Sequence, residues 1–184
     1  MRLGGAALLL TAVFLAAGAQ AAPAGWKHYS DKTLGLSIAY PPDWSLVPNV
    51  DDGLPGPQTP HGIVLTPPRS LGEGTNLDST EMMVVAVAAK DCTPDKFDPD
   101  GNNVHPLNAD GRTYMMSSHQ DVVLGDTYGM QTFVVTGLKR CIAVKYSGRA
   151  ADMHHFIPGE AKPYDLKQLW AVYDSVRATL VFRK

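Results

Sequence analysis

Residues 34–44 (Leu-Gly-Leu-Ser-Ile-Ala-Tyr-Pro-Pro-Asp-Trp) constrain the fold more than any other stretch. Leu34, Leu36, Ile38 and Tyr40 alternate with Gly35, Ser37 and Ala39. That period of two predicts a strand with one bulky face and one small-residue face. Pro41 and Pro42 end it, because neither can donate to a ladder. Trp44 follows as an aromatic lid expected to fold back over the bulky face, its N–H in need of a partner. The rest of the chain reads as more sheet with one closing helix.

The N-terminus is set apart from the fold. Met1-Arg2 is a short positive segment, Ala6 to Ala17 is an apolar run of 12 residues, and small residues follow in A-x-A patterns ending at Ala19, Ala21 and Ala24. This is the layout of a secretory signal peptide, and the run is too short to span a bilayer. Cleavage after Ala21 is expected, with residues 22–184 forming a single domain large enough for a proper core. No later segment is apolar enough to cross a membrane. The expected location is periplasmic or secreted.

Without Arg2 the chain carries 15 basic and 18 acidic side chains, a net charge of about −3. That balance argues against nucleic acid or an anionic membrane as partner, since each needs a concentrated basic face. Cys92 and Cys141 are the only cysteines. In an exported protein such a pair reads as a disulfide, here structural because no C-x-x-C motif is present.

Taken in order, Trp26 to Ser30 opens a first strand and Asp31-Lys32-Thr33 turns it. Val47 to Pro60 is rich in Pro, Gly and Asp and reads as a loop. His61 to Thr66 is a short strand, and Arg69 to Ser79 reads as loop. Glu81 to Ala89 (EMMVVAVAA) is a continuous apolar run, expected as a central strand buried on both faces. Thr93 to Phe97 is expected to start a short helix, with Thr93 as cap and Pro94 at its first position. Asp98 to Gly111 reads as the most turn-rich stretch, Arg112 to Ser118 as strand, and Asp121 to Gly129 holds a turn. Met130 to Thr136 and Arg140 to Ser147 read as a hairpin around Gly137-Leu138. Asp165 to Arg177 is the clearest helix: Asp165 caps it, Gln168 completes a capping-box pattern, and Leu166, Leu169, Trp170, Tyr173 and Val176 form its apolar stripe. Thr179 to Phe182 alternates as a last strand.

Tyr29 to Trp44 resembles the opening of the PsbP-like superfamily, which includes many bacterial exported proteins. Cys141 to Phe182 resembles the close of some uncharacterised bacterial exported proteins. The resemblance implies an α+β fold, an antiparallel sheet of about six or seven strands flanked by helices. It also implies an accessory role beside a larger assembly. No manganese or chloride site residue carries over onto this chain.

Chemistry-bearing patterns are weak. Asp98, Asp100 and Asn102 suggest calcium, but the sixth and twelfth places counted from Asp98 hold Asn103 and Ala109 instead of the Gly and Glu a calcium loop needs. Asx-turns in an exposed loop account for them, with a looser calcium site as the alternative. Six histidines (His28, His61, His105, His119, His154, His155) are expected in exposed loops. Only His154-His155 are adjacent, with Met153 beside them, so copper is the alternative there. Met82-Met83 and Met115-Met116 fit core packing better than a copper cluster. Ser117, His119 and Asp121 hold the residue types of a triad, but local adjacency counts against one. No G-x-S-x-G elbow or phosphate-binding glycine loop is present. The sequence therefore assigns no catalytic, cofactor or metal residue. It favours a non-catalytic accessory or binding protein whose partner is an unknown envelope protein or small ligand. A periplasmic hydrolase-like enzyme comes second and a metal-binding protein third. Convergent polar side chains in a pocket would favour the enzyme, and an exposed apolar patch rimmed by charge would favour partner binding.

Overall fold

The computed structural model describes residues 21–50, 61–87 and 92–182. Residues 1–20 of the expected leader, the stretch 51–60 and the last residues of the apolar run, Ala88 and Ala89, lie outside them. The elements are β1 (Lys27–Asp31), β2 (Leu36–Tyr40), β3 (Ser45–Val50), β4 (His61–Thr66), β5 (Leu77–Val87), β6 (Asn102–Ala109), β7 (Arg112–Val123), β8 (Asp126–Val135), β9 (Cys141–Ala150), α1 (Leu166–Arg177) and β10 (Val181–Phe182).

The strands form two antiparallel sheets. Seven run in the order β3-β4-β5-β9-β8-β7-β6, and three in the order β1-β2-β10. One sheet of six or seven strands was expected, so the three-stranded sheet is an addition. The expected flanking helices reduce to α1 and three short 3-10 turns among the described residues. Sequence places β5 correctly at the centre, between β4 and β9, but it begins at Leu77 and not at Glu81.

Alternation in β2 does what its sequence dictates. Leu36, Ile38 and Tyr40 enter a core shared with Ile63, Leu65, Met82, Val84, Tyr114, Phe133, Val144 and Tyr146 of the large sheet. Each such side chain contributes about 1.5–3 kcal/mol when fully buried. Leu169, Tyr173 and Val176 of α1 close the same core. Trp44 is buried and meets Tyr173 edge-on, ring centroids 5.5 Å apart at 87°. The lid expected from the sequence is therefore locked to the helix. Thr179 Oγ1 accepts the Ala39 N–H at 2.9 Å, fixing the end of α1 to β2. His61 Nε2 and Asp31 Oδ2, 3.1 Å apart, join β4 of the large sheet to β1 of the small one.

The helix cap is as expected: the Asp165 side chain accepts from Lys167 N at 2.9 Å. At the other end Arg177, buried, lies 3.0 Å from Asp110 and 3.2 Å from Asp174, its guanidinium 4.2 Å from the Phe133 ring centre. The opposite face of the large sheet carries a smaller core of Val85, Phe97, Val134, Cys141 and Ala143. The Cys92–Cys141 disulfide ties the segment after β5 to β9 there. Met82 and Met116 pack with the first core, Met83 and Met115 with the second.

Two loop readings are corrected: residues 45–50 are strand β3 and residues 102–109 are strand β6. The turn expected within 121–129 is Leu124-Gly125, with strand on both sides. β3 and β6 are the two edges of the large sheet. An edge strand tolerates Pro48 and Pro106, because a missing N–H on the open side breaks no ladder bond. Both edges are bulged, with Asn49 and Asn103 at positive φ.

Candidate functional site

The β7–β8 hairpin runs past its neighbours. β6 pairs with β7 only as far as Ser118, and β9 pairs with β8 only from Thr127 onward. Apart from His119 and Asp126, residues beyond these limits bury little. Val122, Val123 and Leu124 are 66 %, 53 % and 94 % exposed. The turn is a two-residue one, Leu124 at φ 53° and Gly125 at φ 90°. Positive φ at both central residues defines a type I′ turn, for which Asn-Gly or Asp-Gly is the favoured pair. The β6–β7 turn of this same chain uses Asp110-Gly111. At the tip the first place is taken by leucine, which pays about 1–2 kcal/mol for the left-handed region and gains almost no burial in return.

The base of the tip is rigid and charged. Arg149 donates Nε to Asp126 Oδ2 at 2.9 Å and lies 3.0 Å from Asp78. The Asp152 N–H donates to Asp126 Oδ1 at 2.8 Å. That N–H, followed by the guanidinium, holds the Asp126 carboxyl below the usual range. Asp152 in turn accepts from His154 N at 2.9 Å and contacts His154 Nδ1 at 2.8 Å, which lowers its carboxyl likewise. An apolar tip rimmed by Asp121, Asp126, Arg149 and Asp152 is thus presented on a fixed mount. Five residues beyond Asp152, Ile157 is also 74 % exposed.

Beside this tip lies a cleft of roughly 820 Å³ between the start of α1 and the ends of β7 and β8. Gly129 and Gly148 let the helix approach the sheet: a Cβ there would lie 2.8 Å from Leu166 and 2.9 Å from Leu169 respectively. The walls are largely amides, including Asn76, Gln120 and Gln131, with Trp170 at one side. Two of its carboxylates are already engaged. Asp165 caps the helix and Asp152 caps the following turn. Asn76 is spent on the fold, donating to Ala151 O at 2.6 Å and accepting from Tyr164 N at 2.7 Å.

His119 also borders the cleft. Its Nδ1 lies 3.2 Å from Asp98 Oδ2 and its Nε2 lies 3.9 Å from Asp121 Oδ2. The sequence set Ser117, His119 and Asp121 side by side. The structure instead gives His119 a nearly buried partner from 21 residues upstream. Asp98 is therefore not an exposed Asx-turn residue. A Cβ on Gly101 would meet Asp98 Oδ2 at 2.6 Å and Ser117 Oγ at 2.7 Å, so glycine is needed for this approach. Ser117 Oγ is buried without a hydrogen-bond partner. A serine relay needs the imidazole nitrogen opposite the carboxylate to face the hydroxyl. Here that nitrogen faces Asp121.

Four histidines lie on strands (His28, His61, His105, His119) and not in loops, while His154 and His155 occupy a 3-10 turn. Among the described residues no three His, Cys, Asp or Glu side chains gather as a metal set. No helix among them is long and apolar enough to cross a membrane. The sequence places a turn within Asp121 to Gly129 but does not single out the apolar tip that the turn carries. The signal that marks it is Val-Val-Leu-Gly at the centre of that stretch.

No protein-family model and no curated protein matches the chain. Several solved structures are similar, among them the following two. One is a protein of Bacteroides thetaiotaomicron VPI-5482, 14% identical, TM-score 0.48, with 86% of this chain covering 48% of that one. The chain thus spans about half the length of that protein. The other is cyanobacterial PsbP (CyanoP) of Synechocystis sp. PCC 6803, 13% identical, TM-score 0.48, with 88% of this chain covering 94% of that one. The second is a PsbP protein, the family that the Tyr29 to Trp44 stretch resembles.

Proposed function

We propose that residues 22–184 form an exported, non-catalytic accessory domain that docks on a protein partner through the Val122–Leu124 tip. The observation that carries this is Leu124, a bulky residue at φ 53° that is 94 % exposed. A strained backbone and an exposed apolar side chain both cost stability. Such an outlier is a reason to look for function at that residue. Asp121, its side chain 64 % exposed, sets an open carboxylate beside the tip and disfavours an anionic lipid surface. The tip suits a socket that is apolar inside and basic or donor-rich at its edge. A disulfide-bonded core fits a periplasmic or secreted location.

The hydrolase-like alternative has the buried Asp98–His119 contact in its favour and lacks a hydroxyl placed against Nε2. The two readings separate in one experiment. A photocrosslinking amino acid is placed at 124, and in a control at 96, in the full chain expressed in its own envelope. The proposal expects one discrete adduct from 124 that the control lacks and that a Val123→Asp background abolishes. Adducts equal at both positions, or unchanged in that background, overturn it.

A further inference from the structure

The opposite end of the large sheet holds a different surface. The β1–β2 turn, the β6–β7 turn, the β8–β9 turn and β10 enclose a basin of roughly 980 Å³. Four cations line it, Lys32, Arg112, Lys139 and Arg140, and no acidic residue does. Among the described residues none of the four is ion-paired. The acids nearest in sequence are committed elsewhere: Asp31 to His61 and the Leu34 N–H, Asp110 to Arg177. In a chain with a net negative charge, four unmatched cations around one concavity form a focused positive field.

Both guanidiniums are preorganised. Arg112 donates through Nη2 to the Leu180 carbonyl, and its guanidinium carbon sits 5.1 Å over the Phe182 ring centre. Its Nη1 is buried and closed off from the basin, so Arg112 contributes its charge and stacked position, not a free donor. Arg140 donates through Nη1 to the Thr33 carbonyl. The remaining donors of the exposed Arg140 guanidinium suit the paired oxygens of a carboxylate. The wall beside them is apolar, with Leu138 and Phe182 half-exposed and Val181 45 % exposed.

We propose that this basin binds a small amphiphilic carboxylate, its charge among Lys32, Arg112, Lys139 and Arg140 and its hydrocarbon body against Leu138 and Phe182. The site is separate from the β7–β8 tip and stands or falls without it. The test is calorimetric titration of the full mature chain with three probes. Decanoate has charge and body, decanol the body alone, and inorganic phosphate the charge alone. Decanoate is expected to saturate at one per chain, with the other two weaker by about tenfold or more. A Lys139→Glu/Arg140→Glu variant should weaken decanoate by about tenfold, with circular dichroism showing the fold intact despite loss of the Arg140–Thr33 bond. The control Lys96→Glu should bind as the parent does. Decanol or phosphate binding as tightly as decanoate, binding unaffected by the double charge reversal, or no saturation by decanoate overturns the proposal.

Discussion

Gly125 and Asp152 are in such close apposition that a Cβ built on Gly125 would fall 1.9 Å from the Asp152 carboxylate oxygen Oδ2. The tip of the β7–β8 hairpin is therefore seated on the chain that leaves β9, and it is not a loose end. Gly125 also sits at φ 90°. Gly125→Ala suffers both the clash and the strained backbone, and it should lose about 2 kcal/mol or more. Denaturant titration of the variant measures this. A loss below about 0.5 kcal/mol would show that the tip yields freely and that the mount described above is soft.

Leu124→Asn should do the reverse to stability. Asparagine accepts positive φ in a type I′ turn at little cost, and Leu124 gives up almost no burial on replacement. The expected gain is about 0.5–1 kcal/mol, or about 2–4 °C in melting temperature. The same substitution removes the apolar end of the tip and should abolish partner capture. Stability and docking moving in opposite directions is the signature of a residue kept for binding. A destabilised Leu124→Asn protein would contradict the strain argument.

The cross-link between Cys92 and Cys141 spans 49 residues. A closed loop of that size restrains the unfolded chain by about 4 kcal/mol. Cys141 is buried in the small core beneath the segment it anchors. Replacing both cysteines with alanine should therefore lower the melting temperature by about 10 °C. The apolar faces of the large sheet should otherwise survive. Calorimetry decides: a shift under about 3 °C would mean that the segment around Phe97 holds its place by packing alone.

Where the sequence was legible, the signal was local and repeated. The β2 alternation, the proline stop after Tyr40, the Asp165 cap and the apolar stripe of α1 each rest on neighbours within a few residues. The readings that failed share a cause. β3 and β6 are edge strands, mostly exposed, and carry Pro48, Asn49, Asn103 and Pro106. Edge strands use the residues that turns use, because both leave backbone groups unpaired and both need positive φ at a bulge or corner. Composition alone cannot separate them. The Asp98–His119 contact was hidden for a different reason: it joins residues 21 apart through a fold that brings the 3-10 turn after Cys92 onto β7. The basic basin draws on four separate segments, none with a charge run of its own beyond Lys139-Arg140.

Acid should weaken the contact between the two sheets at Asp31. Burial favours the neutral carboxyl there. The Leu34 N–H at 2.8 Å, the His61 ring at 3.1 Å and the Thr33 N–H at 2.7 Å outweigh it and hold the group below its ordinary value. Asp126 and Asp152 are lowered in the same direction by their own N–H and cationic partners. A lowered carboxyl takes up its proton in the unfolded chain first, so its stabilising effect is complete above about pH 4 and lost as pH falls through the folded value. Melting temperature should thus decline steadily below about pH 4. Asp31→Asn should melt lower at neutral pH, by roughly 1–3 kcal/mol of lost charge-assisted bonding. It should also show a shallower decline in acid than the parent. Equal acid slopes for Asp31→Asn and the parent would rule Asp31 out as a contributor and place the acid sensitivity at the base of the hairpin tip.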